Sequence, residues 1–262
     1  MKFMPIVTAV SVAAAIILSF IGSGALGGTP INAAADGALS TDATPFAPAG
    51  PAFSIWSLIY LGLVAYAIYQ LLPAQRASTR HAALRPWASL SALLNAAWIG
   101  VVQAGSVLAS EIVIIVLLVV LVRLIMLLTT SISTRPTDKL VTDGTFGLYL
   151  GWVFVATIAN TAALLGTTGL TKFSGWQLIS VVLLVVVALV GVGLARATGG
   201  RIAPALTITW GLGWIAVART SGEFASPILI WAAALAGAVV LVATIVIRLV
   251  VEHQRAKTSW DP

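Results

Sequence analysis

Long apolar runs recur so regularly along this chain that a lipid-embedded helical bundle is the fold that satisfies its backbone. The runs are Pro5 to Leu26, Phe53 to Leu72, Trp87 to Gln103, Ile112 to Leu128, a fifth built around residues 146–160, Trp176 to Leu194, Ile202 to Val217 and Pro227 to Val250. Helices of about 20 residues match the thickness of a bilayer core. Lipid supplies no partner for unpaired N–H and C=O groups, so each run reads as a spanning helix. With 60% hydrophobic residues, 8% charged residues and a mean hydropathy of +1.06, the chain lacks the charges to coat a soluble globule. The predicted fold class is all-α, a polytopic membrane bundle of eight transmembrane helices.

The basic residues orient this bundle. With a cytoplasmic amino terminus, Lys2, Arg76, Arg80, Arg85, Arg123, Arg135, Lys139, Arg196, Arg201, Arg248, Arg255 and Lys257 fall on or near the cytoplasmic side, which is twelve of the 14 Lys and Arg residues. Lys172 and Arg219 fall outside. That asymmetry is the positive-inside pattern, and shifting the frame by one helix scrambles it. Both termini are therefore expected in the cytoplasm, in a plasma membrane of bacterial type. Residues 27–52 form a Pro-, Ala- and Gly-rich outside loop with Asp36 and Asp42 and no basic residue. Pro73 to Pro86 and Ser131 to Gly144 are basic cytoplasmic loops, and residues 251–262 are a cytoplasmic tail. Because the cations are scattered between apolar runs, no nucleic-acid surface is expected. The first run follows a single Lys2 and is long for a signal core, so it reads as a retained helix rather than a cleaved signal. Gly24 and Gly28 form a small-xxx-small packing pair at its end. The seventh run is short and broken by Gly211 and Gly213, with Trp210 and Trp214 on one face. Interrupted spans of that kind mark binding sites in some transporters. No internal repeat is evident.

The chemistry available is narrow. There is no Cys, the two imidazoles, His81 and His253, lie outside the apolar runs, and the membrane interior holds no Asp and no Glu beyond the interfacial Glu111. Nucleophile, base and orienting group cannot be assembled from these, nor can a metal shell, so the chain is read as neither an enzyme nor a metal protein, with no resident cofactor. What remains is aromatic and carboxamide. Tyr149, Trp152, Ala156 and Asn160 share one helical face, as do Asn95 and Trp98, and as do Phe53, Trp56 and Tyr60. A carboxamide among acyl chains is costly without a partner, so these faces look inward. Two readings stay open: polar glue between helices, or an aromatic cavity for a flat, lipophilic ligand that Trp stacks on and Asn orients. Tyr69 reads as an interfacial belt residue. Arg123 reads as snorkelling to the interface, the other reading being a pair with an anionic ligand group.

The order Trp-x-x-x-Tyr (Trp56, Tyr60), Leu-Asn-x-x-Trp (Leu94, Asn95, Trp98) and Tyr-Leu-x-Trp-x-x-x-Ala-Thr-x-x-Asn (Tyr149, Leu150, Trp152, Ala156, Thr157, Asn160) resembles the TspO/MBR family of tryptophan-rich sensory proteins, or translocator proteins, over about residues 5–166. The resemblance implies a five-helix bundle over residues 1–166 that binds porphyrins and related lipophilic molecules, with a link to tetrapyrrole transport or sensing. Residues 167–250 then hold three additional helices, which cap the pocket, form a homodimer face or carry an unrelated function. Carried over, the ligand-binding residues are Phe53, Trp56, Tyr60, Asn95, Trp98, Tyr149, Trp152, Ala156 and Asn160, and the ligand is porphyrin- or haem-like. The loop departs from the family pattern, with Pro45, Phe46, Pro48 and Pro51 but neither Trp nor Lys, so a lid of the family type is not implied. The alternatives are a secondary transporter using Trp210 and Gly211, and a scaffold without a ligand.

Overall fold

The computed structural model describes residues 3–22, 29–31, 33–170 and 172–258. Eight long helices lie over the eight apolar runs: α1 (Met4–Gly22), α2 (Ile55–Tyr69), α3 (Thr79–Gln103), α4 (Val107–Thr130), α5 (Thr145–Thr167), α6 (Trp176–Ala197), α7 (Ile202–Ala218) and α8 (Pro227–Thr258). No strand occurs among the described residues. Among the described residues six helical stretches are long and apolar enough to cross a membrane; α7 is a shorter apolar helix, and α3 is not among the six. The first two turns of α3 carry Arg80, His81 and Arg85. Large apolar side chains face outward along the bundle, Trp231 and Leu178 among them. An outer surface of that kind is stable only in lipid, and the chain is an integral membrane protein.

Several segments differ from the sequence reading. The first basic loop is helical over Pro73–Arg76 and again from Thr79, because the Ser78 hydroxyl caps α3 by accepting from the His81 N–H. In the second, Pro136–Asp138 forms a turn that runs through a π-helix, Lys139–Gly144, into α5; Pro136 presets the entry torsion and the Thr142 hydroxyl donates to Asp138 at 2.7 Å. Most of the expected tail continues α8, with Arg248 and Glu252 paired one turn apart at 2.9 Å. The expected break in the seventh run is absent. Gly211 and Gly213 lie inside a continuous α7, and a Cβ on Gly211 would stand 2.8 Å from a methyl of Val155. That glycine serves close packing rather than interruption. Lys2, Gly24 and Gly28 lie outside the described residues.

The first five helices close a ring: α1 packs on α3, α3 on α4, α4 on α5, α5 on α2 and α2 back on α1. One apolar core fills this ring, including Ile59, Tyr66, Leu121 and Trp152. A second core joins α5 to α6, α7 and α8 through Val155, Leu184, Ile208 and Ala233. The junction is α5 on α7, where a Cβ on Gly151 would lie 2.1 Å from the Pro204 carbonyl and Thr207 donates to the Leu148 carbonyl at 2.8 Å. With apolar transfer nearly neutral inside lipid, such close backbone contact and interhelical hydrogen bonding carry helix association.

At one end, charges tie the helices together. Arg80 pairs with both Asp138 and Asp143, Arg201 reaches Asp143 at 3.3 Å, and buried Arg85 donates to Gln70 Oε1 at 2.9 Å and to the Gln75 carbonyl at 2.7 Å. His81 is buried beside Asp138 at 3.3 Å, between the rings of Tyr66 and Tyr69. Arg123 is exposed and lies over the Trp87 ring at 5.9 Å, with no inward pairing.

Candidate functional site

Helical spacing puts eight of the nine residues picked out by sequence on the inner faces of α2, α3 and α5, the ninth, Phe53, lies in the 3-10 turn Gly50–Ser54 that leads into α2, and the ring brings all nine together. Trp56 is the hub. It stacks on Tyr60, one turn along α2, with ring centroids 5.3 Å apart, and meets Tyr149 at 5.9 Å and Trp152 at 6.3 Å edge-on. Phe53 meets Trp152 edge-on at 5.7 Å. These offset and T-shaped arrangements are the ones the ring quadrupoles favour. Tyr149 is fully buried behind Trp56, and its hydroxyl donates to the Ser91 carbonyl at 3.0 Å.

Both carboxamides sit in hydrogen-bond networks. Asn95 donates from Nδ2 to the Tyr60 hydroxyl at 3.1 Å and to the Ser19 hydroxyl at 3.3 Å, joining α3 to α2 and α1. Asn160 accepts from the Trp98 indole N–H at 3.2 Å and donates from Nδ2 to Glu111 Oε2 at 2.9 Å. Ser110 lies 3.1 Å from the same Nδ2, and Thr161 donates to Glu111 Oε1 at 2.6 Å. Among the described residues seven buried side-chain polar atoms have no hydrogen-bond partner, and two of them belong to this cluster, the Trp152 indole N–H and Asn95 Oδ1.

The space between these groups is divided. A hollow of about 360 Å³ lies among α1, α2 and α3, lined by Phe20, Ile31, Phe53, Trp56, Tyr60 and Trp98. Behind it are two smaller voids. One, of about 30 Å³, is lined by Trp152, Ala156 and Asn160 and roofed by Leu39, Ala47 and Pro48; the other, of about 20 Å³, is lined by Trp56, Asn95, Trp152 and Ala156. Phe53 and Trp98 line all three and form the walls between them. The sequence pattern therefore locates one aromatic cluster, and the structure resolves it into an open hollow and a tightly packed rear.

The roof is held by α7. The Arg219 side chain, fully buried, donates to the carbonyls of Thr44 at 2.9 Å, Thr41 at 2.7 Å and Ala47 at 3.4 Å. Trp210 donates from its indole to the Ala52 carbonyl at 3.0 Å, and the Ala49 N–H donates to the Trp214 carbonyl at 3.1 Å. Sequence reading missed two participants. Glu111 reads as an interfacial charge, yet its side chain turns inward onto Asn160. Arg219 reads as an outside loop charge, yet it clamps the loop of residues 41–47; the signal for it is that it is one of two outside cations, with Lys172, opposite a segment with Asp36 and Asp42 and no basic residue.

No curated protein and no solved structure matches this chain. A family model described as TSPO-like protein matches residues 6–247, a range that continues past residue 166 through nearly all of the last three helices. The ring of five helices with its inward Trp and Asn faces, and the matched extent together, place the chain in the TSPO-like protein family.

Proposed function

We propose that the protein binds a flat, lipophilic, tetrapyrrole-like ligand in the aromatic hollow, as a sensor or carrier rather than an enzyme, and that it crosses the membrane eight times with both termini cytoplasmic. One observation carries the ligand reading: a buried donor, the Trp152 indole N–H, and a buried acceptor, Asn95 Oδ1, both lack protein partners while their residues line the same void. An unsatisfied buried polar group costs about 1–3 kcal/mol, so a molecule offering an acceptor to one and a donor to the other recovers that cost. A tetrapyrrole has ring N–H donors, peripheral acceptors and a face that stacks on Trp56. The hollow of about 360 Å³ falls within the 300–1,000 Å³ range usual for small-molecule sites. Displacing Phe53 and Trp98, the shared walls, joins it to the two rear voids and gives the ligand a path to Trp152 and Asn160. The transporter reading loses its motif, since α7 is unbroken and Trp210 and Trp214 hold the roof.

The test is titration of the solubilised protein with a porphyrin, followed by Trp fluorescence and porphyrin absorbance. Saturable quenching at one ligand per chain is expected, weakened at least fivefold by Trp152→Phe or Asn95→Ala and unchanged by Trp231→Phe on the lipid face. Non-saturable quenching, or equal affinity in all four proteins, rejects the reading.

A further inference from the structure

A second cavity of about 320 Å³ lies at the basic end, at the opposite end of α7 from the Arg219 clamp. Four cations line it, Lys139, Arg201, Arg248 and Arg255, against two carboxylates, Asp143 and Glu252. Both carboxylates are already engaged: Asp143 by Arg201 and, from outside the cavity, by Arg80, and Glu252 by Arg248. The cavity therefore carries net positive charge. Its geometry is built in, since Arg201 is fixed by donating to the Leu128 carbonyl at 2.6 Å. The turn between α6 and α7 is pressed against α8 so closely that a Cβ on Gly200, at φ +75°, would stand 2.5 Å from the Arg248 backbone nitrogen. Ile202 and Ala203, which open the 17-residue α7, also border the cavity, and a first-turn N–H has no partner inside its own helix.

We propose that this cavity binds the phosphate group of an anionic phospholipid. Guanidinium and ammonium donors with first-turn N–H groups form an anion cradle, and basic pockets between helices at a membrane interface take anionic headgroups. A lipid fits better than a soluble phosphate ester because the cavity wall includes Ile132, Ile202 and Val251, and because Leu140, Leu249 and Val250 beside it in sequence are exposed apolar residues. They provide a surface for acyl chains next to the headgroup.

The test uses the full chain in a neutral detergent, titrated with short-chain phosphatidylglycerol, with phosphatidylcholine of the same chain length, and with glycerol 3-phosphate, read by native mass spectrometry. The expected result is at least tenfold tighter retention of phosphatidylglycerol than of phosphatidylcholine, reduced at least tenfold in Lys139→Gln/Arg248→Gln/Arg255→Gln. The control Arg76→Gln/Arg135→Gln/Arg196→Gln, which removes equal charge outside the cavity, should leave retention unchanged. Equal loss in both triple variants would reduce the effect to surface charge and overturn the site. Glycerol 3-phosphate binding as tightly as the lipid would overturn the lipid assignment in favour of a soluble phosphate ester.

Discussion

Asn160 illustrates how a carboxamide is accommodated inside an oily bundle. Its oxygen takes the Trp98 N–H and its amide donates to Glu111, so that α3, α4 and α5 are joined through one side chain. Glu111 fixes which way the carboxamide faces, because a carboxylate only accepts and must meet the NH2 end. Glu111→Ala removes the carboxylate acceptor of Asn160, whose amide keeps only the Ser110 hydroxyl, while Thr161 retains the Thr157 carbonyl. Losing one hydrogen bond to a charged group costs about 1.5–3 kcal/mol, so the thermal midpoint in detergent should fall by a few degrees and porphyrin affinity should drop severalfold. Glu111→Gln keeps an acceptor and should fall in between. An unchanged midpoint and affinity in Glu111→Ala would show that Asn160 is oriented by packing alone. Near the basic end, His81 precedes the apolar run that begins at Trp87, and burial pushes its imidazole down to about 4, outweighing neighbouring Asp138, which raises it. Arg80 and Arg85 push it the same way as burial. An unfolded histidine titrates near 6.5. Between pH 6.5 and 4 the unfolded chain therefore binds a proton that the folded chain does not, and stability falls as pH drops through that window, by at most about 3 kcal/mol. Above pH 6.5 both states are neutral and the effect vanishes. Unfolding midpoints across pH 4 to 8 for the natural protein and His81→Asn check this, the variant losing that part of the slope.

At the scale of elements, α7 is the strut on which the site depends without lining it. It packs on α5 through Gly151 and Gly211 and reaches over the ring through Trp210, Trp214 and Arg219 to hold residues 41–52. Arg219→Leu leaves three loop carbonyls without their donor. Hydrogen exchange over residues 38–52 is expected to accelerate at least tenfold while exchange in α2 and α4 stays put, and porphyrin release should quicken. If exchange in the loop is unaltered, the Pro-rich segment holds itself and the clamp has no role.

At the scale of the whole molecule, the helices and their inner faces were legible from the chain because a lipid environment leaves the backbone one solution and the polar residues one direction. Tyr149, Trp152, Ala156 and Asn160 share a face at any plausible register, so that face follows from spacing, whereas its meeting with Asn95 and Trp56 is implied only by the family resemblance. The division of the hollow by Phe53 and Trp98 was not legible, since it depends on rotamers and on how near α1 stands to α2. Glu111 and Arg219 were hidden for another reason: a charge near the end of a run points outward or inward according to partners distant in sequence, 49 residues away for Asn160 and 175 for Thr44. The helical continuation through Lys139–Gly144 and to Thr258 is hidden in the sequence because dense charge reads as loop, whereas paired charges sit well on a helix. The central claim is that the aromatic faces of α2, α3 and α5 receive a ligand that lipid-facing aromatics do not. Photo-oxidation by bound porphyrin measures this directly in the natural protein, by mapping oxidised residues after illumination at one ligand per chain. Oxidation concentrated on Trp56, Trp98 and Trp152 is the predicted result; oxidation spread equally to Trp231 on the outer face of α8 would mean the porphyrin merely dissolves around the bundle.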